Sequence, residues 1–202
     1  MQAFLISHKG FTVTELMLGG LFALVVIGSL YGFYREQLFQ LLTQEAKTAT
    51  LEETRGALDF MMREIRNAGA WLAGKAPTGC ARITEASATR IHIQADLDGN
   101  EDCSSLTGED VLYALAGATS TCPGTTIRRN GDCLASNVVI PPGNDFLSYY
   151  RKGAHAPLTH PIADLTLVQR VKVTFAVQVN NPHPNAKGTV ESVLSSSVDL
   201  RN

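Results

Sequence analysis

An α+β fold, with a long N-terminal α-helix packed on an antiparallel β-sheet, is predicted by three features of this 202-residue chain. Residues 11–34 form an almost uncharged apolar run, and residues 35–67 continue it without a proline. From residue 81 onward the texture changes to short β-type runs divided by turn clusters. All four cysteines lie after residue 69, beyond the helical stretch. Unbroken helix over residues 11–67 would be about 85 Å long at 1.5 Å per residue.

The apolar run is as long as one bilayer-spanning helix, which needs roughly 20 apolar residues. Glu15 is its only charged side chain, about one turn from the start. A carboxylate within hydrocarbon is costly and marks a function with a partner; the alternative is a Glu15 at headgroup level, simply solvated. Gly19, Gly20, Gly28 and Gly32 punctuate this half. They read as close approach between packed helices, as a locally soft helix, or as simple tolerance of glycine. Beyond Tyr34 the helix becomes amphipathic. Leu51, Leu58, Met61, Met62 and Ile65 recur at helical spacing, while Glu45, Lys47, Glu52, Glu53, Arg55, Asp59, Arg63, Glu64 and Arg66 cover the other side. Ala68-Gly69 stops it, with Arg63 and Arg66 in the last turn, where cations suit the dipole.

Strands are expected over residues 81–84, 90–95, 111–115, 125–129, 137–140, 146–151, 170–179 and 190–200. The clearest alternates Val171, Val173, Phe175, Val177 and Val179 with Lys172, Thr174, Ala176 and Gln178. A polar, proline-bearing loop over residues 180–188 leads to the final strand. Together these make a sheet packed on the amphipathic half of the helix.

Net charge is −2, and the densest basic spots are Arg128-Arg129 and Arg151-Lys152. They read as solvated strand ends or turns, and no nucleic-acid contact is indicated. Cys80, Cys103, Cys122 and Cys133 are an even set, which in an oxidising compartment points to two disulfides. Sequential pairing, Cys80 with Cys103 and Cys122 with Cys133, closes the shortest loops of the three arrangements. Zinc is the rival, without a C-x-x-C spacing behind it. His92, His155, His160 and His183 are scattered and no nucleophile or metalloprotease motif occurs, so no enzymatic activity is expected. Asp96, Asp98, Asn100 and Asp102 fall at alternate positions, as oxygen ligands do in calcium loops. Glu101 stands where an EF-hand needs glycine and Thr107 where its bidentate glutamate belongs. The choice there is between an irregular calcium site, with Glu109 or Asp110 as later ligands, and a solvated acidic turn.

The order of segments at the N-terminus is wrong for an ordinary secretory signal, since no small-residue cleavage site follows the apolar run. Instead Lys9-Gly10-Phe11-Thr12-Val13-Thr14-Glu15-Leu16 directly precedes it. This arrangement resembles the N-terminus of class III prepilins, the superfamily of type IV pilins and type II secretion pseudopilins. The resemblance implies a pilin-like fold and a leader, residues 1–10, cut between Gly10 and Phe11 by the prepilin peptidase. It also implies N-methylation of Phe11 and a role for Glu15 in assembly, paired with the α-amino group of its own or a neighbouring Phe11. Residues 11–34 would be the transmembrane and filament-core helix, residues 35–69 its amphipathic continuation, and residues 70–202 a disulfide-stapled exported head. His8 and Lys9 before the span favour a cytoplasmic leader.

Three further segments are similar to PilW-type minor pilins. They are the helix end over residues 57–69, the acidic Asp96-Leu97-Asp98-Gly99-Asn100 followed by Asp110-Val111-Leu112-Tyr113, and the closing Ser197-Val198-Asp199-Leu200-Arg201-Asn202. By resemblance the chain would start or cap a type IV pilus beside other major and minor pilins and the inner-membrane assembly platform. It would sit in the inner membrane with a periplasmic head before assembly and on the cell surface after it. A J-type pseudopilin is the first alternative. A tip adhesin is the second, with residues 74–79, 115–124 and 152–161 as its recognition loops.

Overall fold

The computed structural model describes residues 10–104, 108–180 and 188–201. Residues 1–9 of the expected leader, Thr107, His183 and Asn202 lie outside them.

One helix, α1 (Val13–Asn67), runs 55 residues, or about 80 Å. It crosses Gly19, Gly20, Gly28 and Gly32 without interruption, and a Cβ at any of them would meet open space. Its first half is long and apolar enough to cross a membrane, and none of that stretch is buried. Leu16 through Tyr34 present large apolar side chains outward along the whole run. The second half is different. Leu58, Met61, Met62, Ile65 and Ala68 are buried, together with Thr54. The burial falls on about the last four turns of the amphipathic part, while Leu38, Leu41 and Leu42 between it and the apolar run stay exposed.

The helix stops where the sequence said it would. Ala68 donates its N–H to the carbonyl of Ile65. Gly69 then turns with φ of 77° and donates to the carbonyl of Gln94 at 2.9 Å. A Cβ on Gly69 would lie 2.7 Å from Cδ and 2.8 Å from Cγ of Arg82. That side chain cannot swing aside freely, because its guanidinium donates to the carbonyls of Val168 at 2.6 Å, Thr166 at 3.3 Å and Arg201 at 3.4 Å. Gly69→Ala is therefore expected to cost about 1–2 kcal/mol from the left-handed backbone alone, read as a lower urea midpoint for the full chain in detergent, with further loss from Arg82.

Nine strands follow among the described residues: β1 (Ile83–Ala86), β2 (Arg90–Gln94), β3 (Asp110–Ala116), β4 (Thr126–Arg129), β5 (Asp132–Ala135), β6 (Val138–Val139), β7 (Leu147–Tyr150), β8 (Arg170–Asn180) and β9 (Thr189–Asp199). They form two antiparallel sheets where one was expected. The first is ordered β1-β2-β3-β4-β5. In the second, β8 pairs β9 along one edge, and β6 and β7 in succession along the other. A single hydrophobic core joins both sheets to the helix, with Ile91, Val111, Tyr113, Val173 and Phe175 among its fully buried members. The seam between the sheets is closed by hydrogen bonds. Leu147 N–H donates to the carbonyl of Ala88, and the Tyr149 hydroxyl donates to the carbonyls of Ser87 and Arg90, each at 3.0 Å.

The strand missing from the expectation is β5. Asn130 and Gly131, with φ of 49° and 94°, form the two-residue turn of a β4–β5 hairpin. In β8, Val171, Val173, Phe175 and Val177 are buried as the alternation requires, and Thr174 and Ala176 on the opposite face are buried too. The strand's middle is thus covered on both sides, where small side chains fit.

Candidate functional site

The geometry that bears on function begins at the tip of α1. Gly10 and Phe11 are exposed and precede the helix, Phe11 at 87% of its full accessibility. Thr12 is the N-cap. Its hydroxyl accepts the Glu15 N–H at 3.3 Å, while Glu15 Oε2 accepts the Thr12 N–H and hydroxyl, each at 2.9 Å. This reciprocal capping box satisfies two orphan donors of the first turn. The sequence signal for it is threonine followed three residues later by glutamate, at Thr12 and Glu15. The box aims the Glu15 carboxylate back toward the N-terminal end of the chain.

The other end of α1 is locked to the first sheet by one polar cluster. Glu64 Oε2 accepts from Arg129 Nε at 2.8 Å and Glu64 Oε1 accepts from Arg129 Nη2 at 2.7 Å. The Tyr113 hydroxyl donates to Glu64 Oε2 at 2.5 Å. The Arg129 guanidinium also lies over the Phe60 ring, 5.5 Å from its centroid. These hydrogen bonds to Glu64 hold Arg129 above its ordinary pKa. Arg129 is accordingly no solvated strand end, which corrects the expectation for Arg128-Arg129. Its neighbour Arg128 donates to the carbonyl of Gly117 at 2.9 Å. The fork of a guanidinium on a carboxylate fixes direction as well as distance, so the helix is held in one rotation over β3 and β4.

Tyr113 and Tyr149 are fully buried, and burial is the main cause pushing both phenols above the ordinary value of 10.0. The hydrogen bond to Glu64 pushes Tyr113 further in the same direction. A raised acid pKa in the folded state means that the unfolded chain loses its protons first. Stability is then whole below about pH 10 and falls as pH rises beyond it. Alkaline unfolding starting near the ordinary tyrosine range, followed by circular dichroism, is the expected result.

Cys80 pairs with Cys103 and Cys122 with Cys133, both with Cα atoms 6.1 Å apart. The first disulfide ties the segment after the helix to the acidic loop. The second straddles the β4–β5 hairpin.

The acidic loop lies where β2 ends and β3 begins. Asp96 forms a parallel bridge with Trp71 just past the helix. Asp96 Oδ1 accepts from Gly99 N–H at 2.7 Å, Asp98 Oδ1 from Asn100 N–H at 3.1 Å, and Asn100 Oδ1 from Asp102 N–H at 2.7 Å. Glu101 takes φ of 61°, the conformation for which glycine is usual at this place. Of the four anticipated oxygen ligands, Asp96 and Asp98 come together with Glu109, one oxygen of each within 4.8 Å of the others. Asp102 stands outside this group and caps Ser104 instead. Asn100 donates its side-chain amide to Asp98 Oδ2 at 3.1 Å. No protein family, curated protein or solved structure matched the chain on comparison.

Proposed function

We propose that this chain is a minor pilin of a type IV pilus, made as a precursor and polymerised through its N-terminal helix. The observation that carries the proposal is one continuous helix with two environments. Its first half exposes an unbroken apolar surface, while Thr54, Leu58, Met61, Met62 and Ile65 near its far end are buried in a disulfide-bonded β-rich head. Such a half-covered helix needs a bilayer, and later sibling helices, to cover the rest. Two details support processing. The Gly10-Phe11 bond is exposed and precedes the first helical residue, as a peptidase requires of its substrate. The capping box also points the Glu15 carboxylate toward the place where cutting would create a new ammonium group at Phe11.

In this reading the leader is removed by the prepilin peptidase, and Phe11 becomes the methylated N-terminus. The chain waits in the inner membrane with its head in the periplasm. It then joins other major and minor pilins at the assembly platform to start or cap the filament at the cell surface. Polymerisation is its activity, and the head carries no catalytic role. Deletion of the gene tests the assignment. Loss of surface pili with normal exoprotein secretion is expected. Lost secretion with normal pili would assign the chain to the pseudopilins. Normal pilus number with lost attachment would assign it to tip adhesins.

A further inference from the structure

We propose that Asp96, Asp98 and Glu109 bind a single calcium ion at the junction of the helix exit, β2 and β3. Oxygens that share an ion at about 2.4 Å can be no more than about 4.8 Å apart. One oxygen from each of the three carboxylates meets that limit. The second observation concerns Asp96 itself. The residue is 1% exposed, and its Oδ2 is buried with no hydrogen-bond partner. A carboxylate oxygen taken out of water without a partner is expensive and calls for a cation or an ordered water. Among the described residues no lysine, arginine or histidine forms an ion pair with Asp96. The nearby Arg82 does not supply the charge, because its guanidinium is engaged by the carbonyls of Val168, Thr166 and Arg201.

The remaining geometry suits a hard cation. Glu109 is fully buried, and its Oε1 accepts from Leu97 N–H at 2.8 Å and Asp98 N–H at 3.3 Å, which holds it against the loop. Asp98 is exposed and leaves the group open to solvent on that side. Three anionic oxygen donors on a loop pinned by Cys103 favour calcium, which accepts irregular cages of protein oxygens and completes its shell with water. Magnesium demands a near-ideal octahedron and keeps more of its waters. Bound calcium would fasten the loop to the first turn after α1, and so stiffen the helix–head junction.

The test uses the full chain in detergent, stripped with EDTA and titrated with calcium chloride or magnesium chloride while its melting midpoint is followed. A saturable rise with calcium, larger than with magnesium at equal concentration, is expected. Asp98→Asn, at an exposed position that the fold tolerates, should weaken the apparent calcium affinity about tenfold or more, since affinity follows the count of charged ligands. Glu109→Gln should do likewise, and Asp102→Asn should leave affinity unchanged. A midpoint that stays flat at millimolar calcium would overturn the proposal. An equal response to magnesium would overturn the choice of calcium, and a response that survives both Asp98→Asn and Glu109→Gln would overturn the ligand set.

Discussion

Glu15→Ala should leave the head folded and the chain in the membrane, yet reduce its incorporation into filaments at least about tenfold, the equivalent of about 1.4 kcal/mol of assembly free energy. In the proposed assembly the Glu15 carboxylate meets the ammonium of a processed Phe11 inside a bundle of apolar helices. There the attraction is barely screened, and removing one partner leaves the other charge buried alone. Glu15→Gln keeps the shape and a hydrogen-bond acceptor but loses the charge, so it should fail nearly as badly. A different variant separates assembly from helix capping. Thr12→Ala removes the hydroxyl that accepts the Glu15 N–H and leaves the carboxylate in place. Its incorporation should stay close to that of the unaltered chain. Quantifying each variant in sheared pili against its membrane pool gives the comparison. Equal defects in Thr12→Ala and Glu15→Ala would make Glu15 a capping residue and nothing more.

Glu64→Ala should destabilise the folded chain by about 3 kcal/mol. Arg129 and Glu64 keep only 18% and 15% of their side-chain surface accessible, so water compensates little for a lost partner. The substitution takes from Arg129 its two hydrogen bonds to Glu64 and leaves the fully buried Tyr113 hydroxyl without its Glu64 acceptor. Glu64→Gln retains an acceptor for Tyr113 and should lose clearly less. Urea unfolding of the full chain in detergent reads the difference as a lower midpoint at constant slope. A Glu64→Ala protein as stable as the unaltered one would show that packing of Met61, Met62 and Ile65 alone holds the helix to the head.

What could be read in advance was whatever is periodic or local. Apolar residues at helical spacing placed the buried face of α1, glycine at position 69 placed its end, and alternation placed β8. Asn130-Gly131 marked a turn, but the strand after it, Asp132-Cys133-Leu134-Ala135, is short and carries no alternating apolar pattern, so β5 stayed hidden. The division into two sheets was equally illegible, because it depends on which strands neighbour β8 and not on any strand's own composition. The polar contacts were the least visible. Glu64 meets Tyr113 across 49 positions and Arg129 across 65. In the sequence each looks like an ordinary surface charge or a core aromatic. The acidic loop was half legible. Its alternating carboxylates were plain, while the choice of Glu109 over Asp102 depended on β3 bringing Glu109 back beside Asp96.

Intact-mass and N-terminal analysis of the chain recovered from native filaments tests the central claim most directly. The expected mature protein begins at Phe11 and carries one methyl group on that nitrogen. Filament-borne chain that still retains residues 1–10 would contradict it.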